Sequence, residues 1–557
     1  MENHSTKTAF SSRQSLVSLW PWLAVLIVLL CVGFIRYRLL DMPLERDEGE
    51  YAYAGQLILQ GIPPYELAYN MKLPGTYYAC ALGMAVFGQT IAGIHLTLLA
   101  ANALTIIFVF LLGRRLFGVT AGLAACASFG ILSVSPAVVG MAAHANHFVI
   151  LFAVPATLLL WKAAESDRRV TLFFSGLLYG LAFLMKQQGA CFCLFGCFFL
   201  AGRELRKGSL VRADVVKRFF CFGAGMFLPV ALTCLFLAWA GVFSRFWFWI
   251  FTYAGAYASH EPLGEGIKHL CAYFQEQQEA YLGFLVLAAA GLPLALVHKA
   301  IRNRVIFGIG FLFFSFLGTT AGLYFRAHYF ILVLPAFAVV VGLAAASLQH
   351  ALKSPTAKII PLALLAAVLG WNLFLQRGFF FQWSALQVCR IVYGANPMVE
   401  SQIAAKYIQE HSAEDARIAV VGSEPQIYFY SHRHSATGYI YAYPLVEERQ
   451  PYAAKMQREM IREIDSTRPE FIVLVLYRYS WLFKDSSDTT ILGWAKKYSE
   501  EFYEITGVIN THSGGEMTCL WGGAAKNYRG PFDQFLVVYK RKTVPAANPS
   551  THNGAAH

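Results

Sequence analysis

Four charged residues stand in a row soon after the first apolar block of the chain, Glu45-Arg46-Asp47-Glu48. A carboxylate held just outside hydrocarbon can take a proton from an acceptor hydroxyl, and a neighbouring Lys or Arg can hold a phosphate. Lys72 supplies such a cation where the sequence turns apolar again, in Asn70-Met71-Lys72-Leu73-Pro74-Gly75. The plainer reading is that Asp47 or Glu48 caps a helix or complements its dipole. The combination of acids and cations favours chemistry, with the Asp47-Glu48 pair supplying the carboxylate. Arg46 and Lys72 are the substrate contacts of this region, and Glu45 is assigned no role.

Further candidates lie far along the chain. Residues 141–147 read MAAHANH, and a helix would put His144 and His147 on one face as candidate metal ligands. Buried histidines are also ordinary hydrogen-bonding groups. Lys186-Gln187-Gln188 occupies a tight turn, where the lysine either snorkels or meets an anion. RFWFWIFTYAGAY from Arg245 is an interfacial aromatic belt or the wall of a lipid groove. His260-Glu261 and Glu265 follow it, and His260 is a candidate substrate contact. Arg326-Ala327-His328-Tyr329 opens a late apolar block, and arginine on that side runs against the usual bias of positive residues.

The elements that must position these residues are membrane helices. Of 557 residues, 57% are apolar and 14% charged, against about 25% charged in ordinary soluble domains. The apolar residues come in blocks near 17–39, 91–113, 119–140, 145–163, 171–186, 188–202, 218–240, 280–299, 303–323, 328–349 and 357–376. A spanning helix takes about twenty residues, so eleven spans are expected, with 171–186 and 188–202 the shortest. The first block is too long for a signal-peptide core and reads as a retained helix. The net charge of +12 lies in short loops between blocks, such as Arg114-Arg115 and Arg203 to Arg218. That is a topology signal, not a nucleic-acid surface. It puts the N-terminus inside the cell, and the candidate residues and the C-terminal segment outside.

Between the first two spans, residues 40–90 read as two helices lying in the interface, with Tyr51, Ala54 and Ile58 on one face. Gly176-x-x-x-Gly180 is a helix-packing pattern. Cys191, Cys193 and Cys197 read as small packing residues; Cys389 and Cys519 could pair in an oxidising compartment. Residues 377–543 alternate strand-like runs (RIAVVGS, FIVLVLY, FLVVYKR) with amphipathic stretches such as MVESQIAAKYIQEH, as a small α/β domain would. The tail from residue 544 reads as disordered.

Together these features resemble the GT-C class of integral-membrane glycosyltransferases, in the branch of the protein O-mannosyltransferases and lipid A aminoarabinose transferases. The matching stretches are RDEGEYAYAGQLILQGIPPYE, YNMKLPGTYY, LMKQQGA, RFWFWIFTYA, FRAHYFILVLP and GSEPQIYFYSHRHSATGYIY. The resemblance implies a sugar carried on a polyprenyl phosphate, transferred with inversion to a lipid, glycan or protein acceptor at the outer face of a bacterial inner membrane. It implies that Asp47 is the base, that Glu48 is the second acid, and that Lys72, Arg326, His328 and Tyr329 meet the donor phosphate. It fixes no cofactor and is compatible with a divalent metal. The sequence departs from the class where relatives place an acid in the second outward loop, since His144, Asn146 and His147 stand there. The alternative reading is a transporter or flippase of a lipid-linked substrate; midplane charges in broken helices would mark one, and here the charges collect at block ends.

Overall fold

In the computed structural model, residues 5–206, 213–259, 261–297, 299–447, 450–512, 516–530 and 534–542 are described. His260 and the tail from residue 544 lie outside them. The chain divides into two compact units, Met1–Gly394 and Ala395–His557.

The first unit is helical. Its helices are α1 (Ser5–Tyr37), α2 (Arg46–Leu59), α3 (Gly75–Phe87), α4 (Ile91–Phe117), α5 (Val119–Leu132), α6 (Ala145–Ser166) and α7 (Arg169–Met185). There follow α8 (Ala190–Arg206), α9 (Ala213–Trp239), α10 (Leu263–Val297), α11 (Arg302–Leu317), α12 (Leu334–Ala351), α13 (Ile360–Leu375) and α14 (Ala385–Tyr393). Among the described residues, eight stretches are long and apolar enough to cross a bilayer: Leu19–Tyr37, α4, α6, α9, α10, Arg302–Leu323, α12 and Ala357–Leu375. The remaining three expected spans are the shorter helices α5, α7 and α8. The two helices expected in the first long loop are α2 and α3.

Three expectations change. The block at 119–140 stops being α-helix at Leu132, because Ser133 turns its hydroxyl back onto the Gly130 carbonyl and Pro136 has no N–H to continue the ladder. Its remainder is a turn that feeds the candidate site. The loop expected over 241–279 is largely helical: α10 begins at Leu263, and at 35 residues it is about 52 Å long, well beyond the hydrocarbon thickness. The late block begins with a 3₁₀ turn, Ala327–Leu332, before α12 proper.

Close packing follows from small residues. A Cβ on Gly176 would lie 2.1 Å from the Phe222 carbonyl oxygen, and one on Gly180 would lie 2.2 Å from that of Met226. The expected packing pattern therefore seats α7 directly on the α9 backbone. At the ends of these helices away from the candidate site, Asp167 accepts from both Arg203 and Arg218, tying the end of α6 to α8 and α9.

The second unit carries a six-stranded sheet in the order β2-β1-β3-β6-β4-β5. The strands are β1 (Arg417–Val421), β2 (His434–Ser435), β3 (Phe471–Leu476), β4 (Tyr503–Thr511), β5 (Met517–Trp521) and β6 (Gln534–Arg541). β1 runs parallel to β2 and β3, while β6 pairs antiparallel with β3 and β4. All three expected strand runs are strands, and MVESQIAAKYIQEH is the helix Met398–His411. The division falls at Gly394, not near 377. Residues 378–393 stay with the first unit because Phe379 and Phe380 are buried and Arg38 donates to the Phe380 and Trp383 carbonyls. Cys389 and Cys519 are both free thiols.

The Gly180 contact gives a direct test of the α7–α9 seat. Gly180→Leu should cost about 1–3 kcal/mol through overpacking, read as a lowered Tm of the purified protein, whereas Gly202→Leu, with nothing within 4 Å of its Cβ, should leave Tm unchanged.

Candidate active site

The first wall of the site is α2. Its start is fixed by a reciprocal cap: the Glu45 side chain accepts the Glu48 N–H, and the Glu48 side chain accepts the Glu45 N–H, both at 3.1 Å. Glu45 thus has a structural part that its sequence context did not reveal. The cap sends Asp47 and Glu50, three residues apart, to one face. Arg46 is the first helical residue and is buried.

Glu48 turns the other way. It is fully buried, accepts the Ala143 N–H and lies 3.2 Å from His95 Nε2 on α4. Burial raises its carboxyl, but the His95 ring and the Ala143 N–H outweigh that and hold it below its ordinary range. Beneath the same loop, Arg36 donates from Nε to Asn102 and from its two terminal nitrogens to the carbonyls of Gly140 and Ser133, at 3.0–3.2 Å. Glu48 and Arg36 together pin residues 133–143, which deliver His144.

The second wall is the segment before α3. Thr76 donates to the Met185 carbonyl at 2.8 Å and Gln187 to that of Met71 at 2.6 Å. Only glycine fits at position 75, where a Cβ would lie 2.5 Å from the Leu184 carbonyl oxygen. This docking brings the Lys72 and Lys186 loops side by side.

Lys72 is the hub. Its ammonium donates to Asp47 at 2.6 Å and to Glu50 at 2.8 Å, and lies 4.7 Å from the centre of the Tyr51 ring. Burial would lower its pKa, but the two carboxylates push it well above the ordinary lysine range. Glu50 also accepts from Asn70 at 2.7 Å and from the Tyr77 hydroxyl. Burial raises the Glu50 carboxyl in spite of Lys72. Burial also acts to raise Asp47, but the Lys72 charge, then His144, hold it well below the carboxylate range. Asp47 is therefore an ionised carboxylate with 28% of its side chain exposed.

Across from Asp47, His144 and His328 stack with ring centres 4.2 Å apart. The Lys186 ammonium donates to Asn146 at 2.9 Å and stands 4.6 Å from the centre of the Tyr329 ring. Burial, with the repulsion of Lys72 and Arg326, brings Lys186 down to about 7 against the pull of Asp47. Arg326 is exposed at the rim, 5.5 Å from the Tyr324 ring centre and 3.5 Å from the Tyr257 hydroxyl.

Of the residues expected from sequence, Asp47, Lys72, Lys186, Arg326, His328, Tyr329 and His144 come together. Glu48 and His147 are buried beside this group, Glu48 as a loop clamp. Glu50, Asn70, Tyr77 and Asn146 belong to the site although the sequence reading gave them no role. The three-residue spacing from Asp47 was the one signal for Glu50.

One candidate metal position is present among the described residues. A carboxylate oxygen of Asp47 and ring nitrogens of His144 and His328 lie within 4.8 Å of one another. Both His144 nitrogens are buried without a hydrogen-bond partner, and burial drops its pKa to about 4, so the ring is neutral and able to ligate. One carboxylate with two imidazoles suits a borderline divalent ion such as zinc. His147 is not part of this group.

Comparison with known proteins agrees with this architecture. Residues 72–239 match the family model described as dolichyl-phosphate-mannose-protein mannosyltransferase. The undecaprenyl phosphate-alpha-4-amino-4-deoxy-L-arabinose arabinosyl transferase of Pseudomonas aeruginosa (strain LESB58) is 32% identical over 153 residues, 25% of this chain and 27% of that protein. The same enzyme of strain UCBPP-PA14 is 31% identical over 145 residues, 24% and 26% of the two chains. The matched stretch thus spans about a quarter of these curated relatives. The crystal structure of ArnT from Cupriavidus metallidurans bound to undecaprenyl phosphate superposes with a TM-score of 0.57 at 14% identity, covering 93% of this chain and 98% of that one. The apo oligosaccharyltransferase of Archaeoglobus fulgidus gives 0.55 at 12% identity, covering 93% and 76%. The chain has the GT-C fold of integral-membrane glycosyltransferases.

The buried Lys72–Glu50 pair sets a test. Glu50→Gln keeps an acceptor for Asn70 and Tyr77 but removes a charge, and should destabilise the protein by roughly 3 kcal/mol. Lys72→Met should cost more in thermal unfolding than Glu50→Gln, because both Asp47 and Glu50 then lose their ammonium, whereas Glu50→Gln leaves Lys72 paired with Asp47.

Proposed function

We propose that this chain is a glycosyltransferase that moves a sugar from a polyprenyl phosphate to an acceptor at the outer face of a bacterial inner membrane, with inversion. The observation that carries the reading is Lys72 held between the carboxylates of Asp47 and Glu50, with Lys186 and Arg326 nearby. The matched relatives are named as users of undecaprenyl phosphate, which supports a lipid-phosphate donor here.

In this reading the donor phosphate lies against Lys72, Lys186 and Arg326. Cleavage of the sugar–phosphate bond leaves negative charge on the phosphate, and fixed cations in a dry pocket stabilise that charge as it grows. A phosphate leaves readily, so no general acid is needed, and inversion in one displacement needs a base on the acceptor side alone. Asp47 takes that part. It accepts the acceptor hydroxyl's hydrogen bond, orients the oxygen and receives the proton late. Its basicity is low while Lys72 binds it, and rises when the phosphate draws Lys72 away. Glu50 stays bonded to the ammonium as it turns from Asp47 to the phosphate. A divalent ion, if bound, would be held by Asp47, His144 and His328 and would add positive charge to the pocket. In this reading the second unit takes part in selecting a lipid, glycan or protein acceptor.

Purified enzyme given a panel of polyprenyl-phosphate sugars, with and without chelator, tests the assignment. Asp47→Asn should lower turnover by at least about a hundredfold with donor binding retained; unchanged turnover would overturn the role of Asp47. Metal analysis of the same protein beside His144→Ala reads the ion directly.

Lys186 supplies a pH signature. Its folded pKa, about 7, is below that of free lysine, so its charge is present below pH 7 and lost above it. Donor KM should rise as pH climbs through 7. Lys186→Arg, which stays protonated, should carry low KM to higher pH; an unaltered profile would remove Lys186 from the phosphate site.

A further inference from the structure

The segment that follows the last spanning helix has an unclaimed surface. After α13 ends at Leu375, a π-helical turn, Gly378–Gln382, leads into α14. Ser384 and Gln387 cap α14 reciprocally, so it is a set helix and not a frayed end. Its two sides differ in kind. Val388 and Cys389 are buried. On the opposite side Trp383, Leu386 and Ile391 are 37%, 51% and 56% exposed. With Gln387 and Arg390 they line an open groove of about 330 Å³. A nine-residue helix and its lead-in presenting Trp, Leu and Ile outward are costly in water, at about 25 cal/mol for each Å² of apolar surface left wet.

Two observations fix the level of this groove. Arg38, one residue past the end of α1, donates to the carbonyls of Phe380 and Trp383. The turn is therefore stapled to the point where one span leaves the hydrocarbon, and it begins three residues after another span ends. Trp371 and Phe374 near the end of α13, and Phe381 in the turn, are exposed like Trp383, and such aromatics collect at the headgroup level.

We infer that α14 lies in the membrane interface and that its groove takes an acyl chain of a bilayer phospholipid, with Arg390 meeting an anionic headgroup. Helices of this kind rest their apolar face at the headgroup boundary and use cations to choose anionic lipid. The surface is separate from the proposed phosphate site and does not depend on the glycosyltransferase reading.

The test uses the full chain in nanodiscs of phosphatidylglycerol or phosphatidylcholine with bromine on the acyl chains, and reads tryptophan emission. The chain has 11 tryptophans, so the Trp383 signal is the difference between wild type and Trp383→Phe. That difference should fall at least about twofold in brominated discs relative to plain ones, more in phosphatidylglycerol, and Arg390→Gln should abolish the lipid preference. The corresponding difference for Trp494→Phe, in the second unit, is the control. A Trp383 signal equally bright in brominated and plain discs would overturn the inference, whether water or a second copy of the chain then covers the groove. Both tryptophan variants are conservative, and their Tm values confirm folding before emission is compared.

Discussion

Lys72 between two carboxylates is the interaction on which the rest of the site depends. A lysine buried in a helical membrane unit cannot stay charged without close anions, and Asp47 and Glu50 provide them at 2.6 and 2.8 Å. Those acids stand at the right places only because Glu45 and Glu48 set the first turn of α2. Lys72 in turn arrives only because Gly75 lets the chain touch the Leu184 carbonyl. Removal of any of these parts leaves an unbalanced charge, so the cluster forms as a whole.

The arrangement also explains how a site can be rich in charge yet hold opposite requirements. In the proposed reaction the base must be ionised, and Asp47 is, because Lys72 holds it so. The phosphate contacts of that proposal must be cationic but ready to bind, and Lys186, lowered to about 7 by burial and its neighbours, gains most when an anion arrives. The imidazoles of His144 and His328 stay neutral in the same space, which suits them to ligation or hydrogen bonding more than to holding phosphate by charge.

Much of the framework was legible in the sequence because lipid as solvent writes long apolar blocks. All eleven block positions hold helices, and RIAVVGS, FIVLVLY and FLVVYKR hold strands. Boundaries were less legible. The end of α5 at Leu132 depends on Ser133 and on Arg36, about a hundred residues earlier, and the start of α10 at Leu263 lies in sequence too polar to read as a span. In the site, Asp47, Lys72, Lys186 and the Arg326–Tyr329 stretch stood out as charges at block ends. Glu50 did not, because its meaning comes from Asn70, Lys72 and Tyr77 across a turn. Glu48 looked like a second acid of the chemistry, and only its contacts with Ala143 and His95 show it facing away. Strand β2 is two residues long, too short to leave a pattern.

The Arg36 clamp has a consequence for how the protein is made. Arg36 lies near the end of the first span, and the carbonyls it needs belong to Ser133 and Gly140. During synthesis α1 reaches the membrane before those residues exist, so its guanidinium must first reach toward headgroups and water. The native bonds can close only after α4 and α5 have been inserted. The loop that presents His144 is thus a late-setting latch, and the order of helix delivery, not the stability of α1 alone, decides when the site can first take shape.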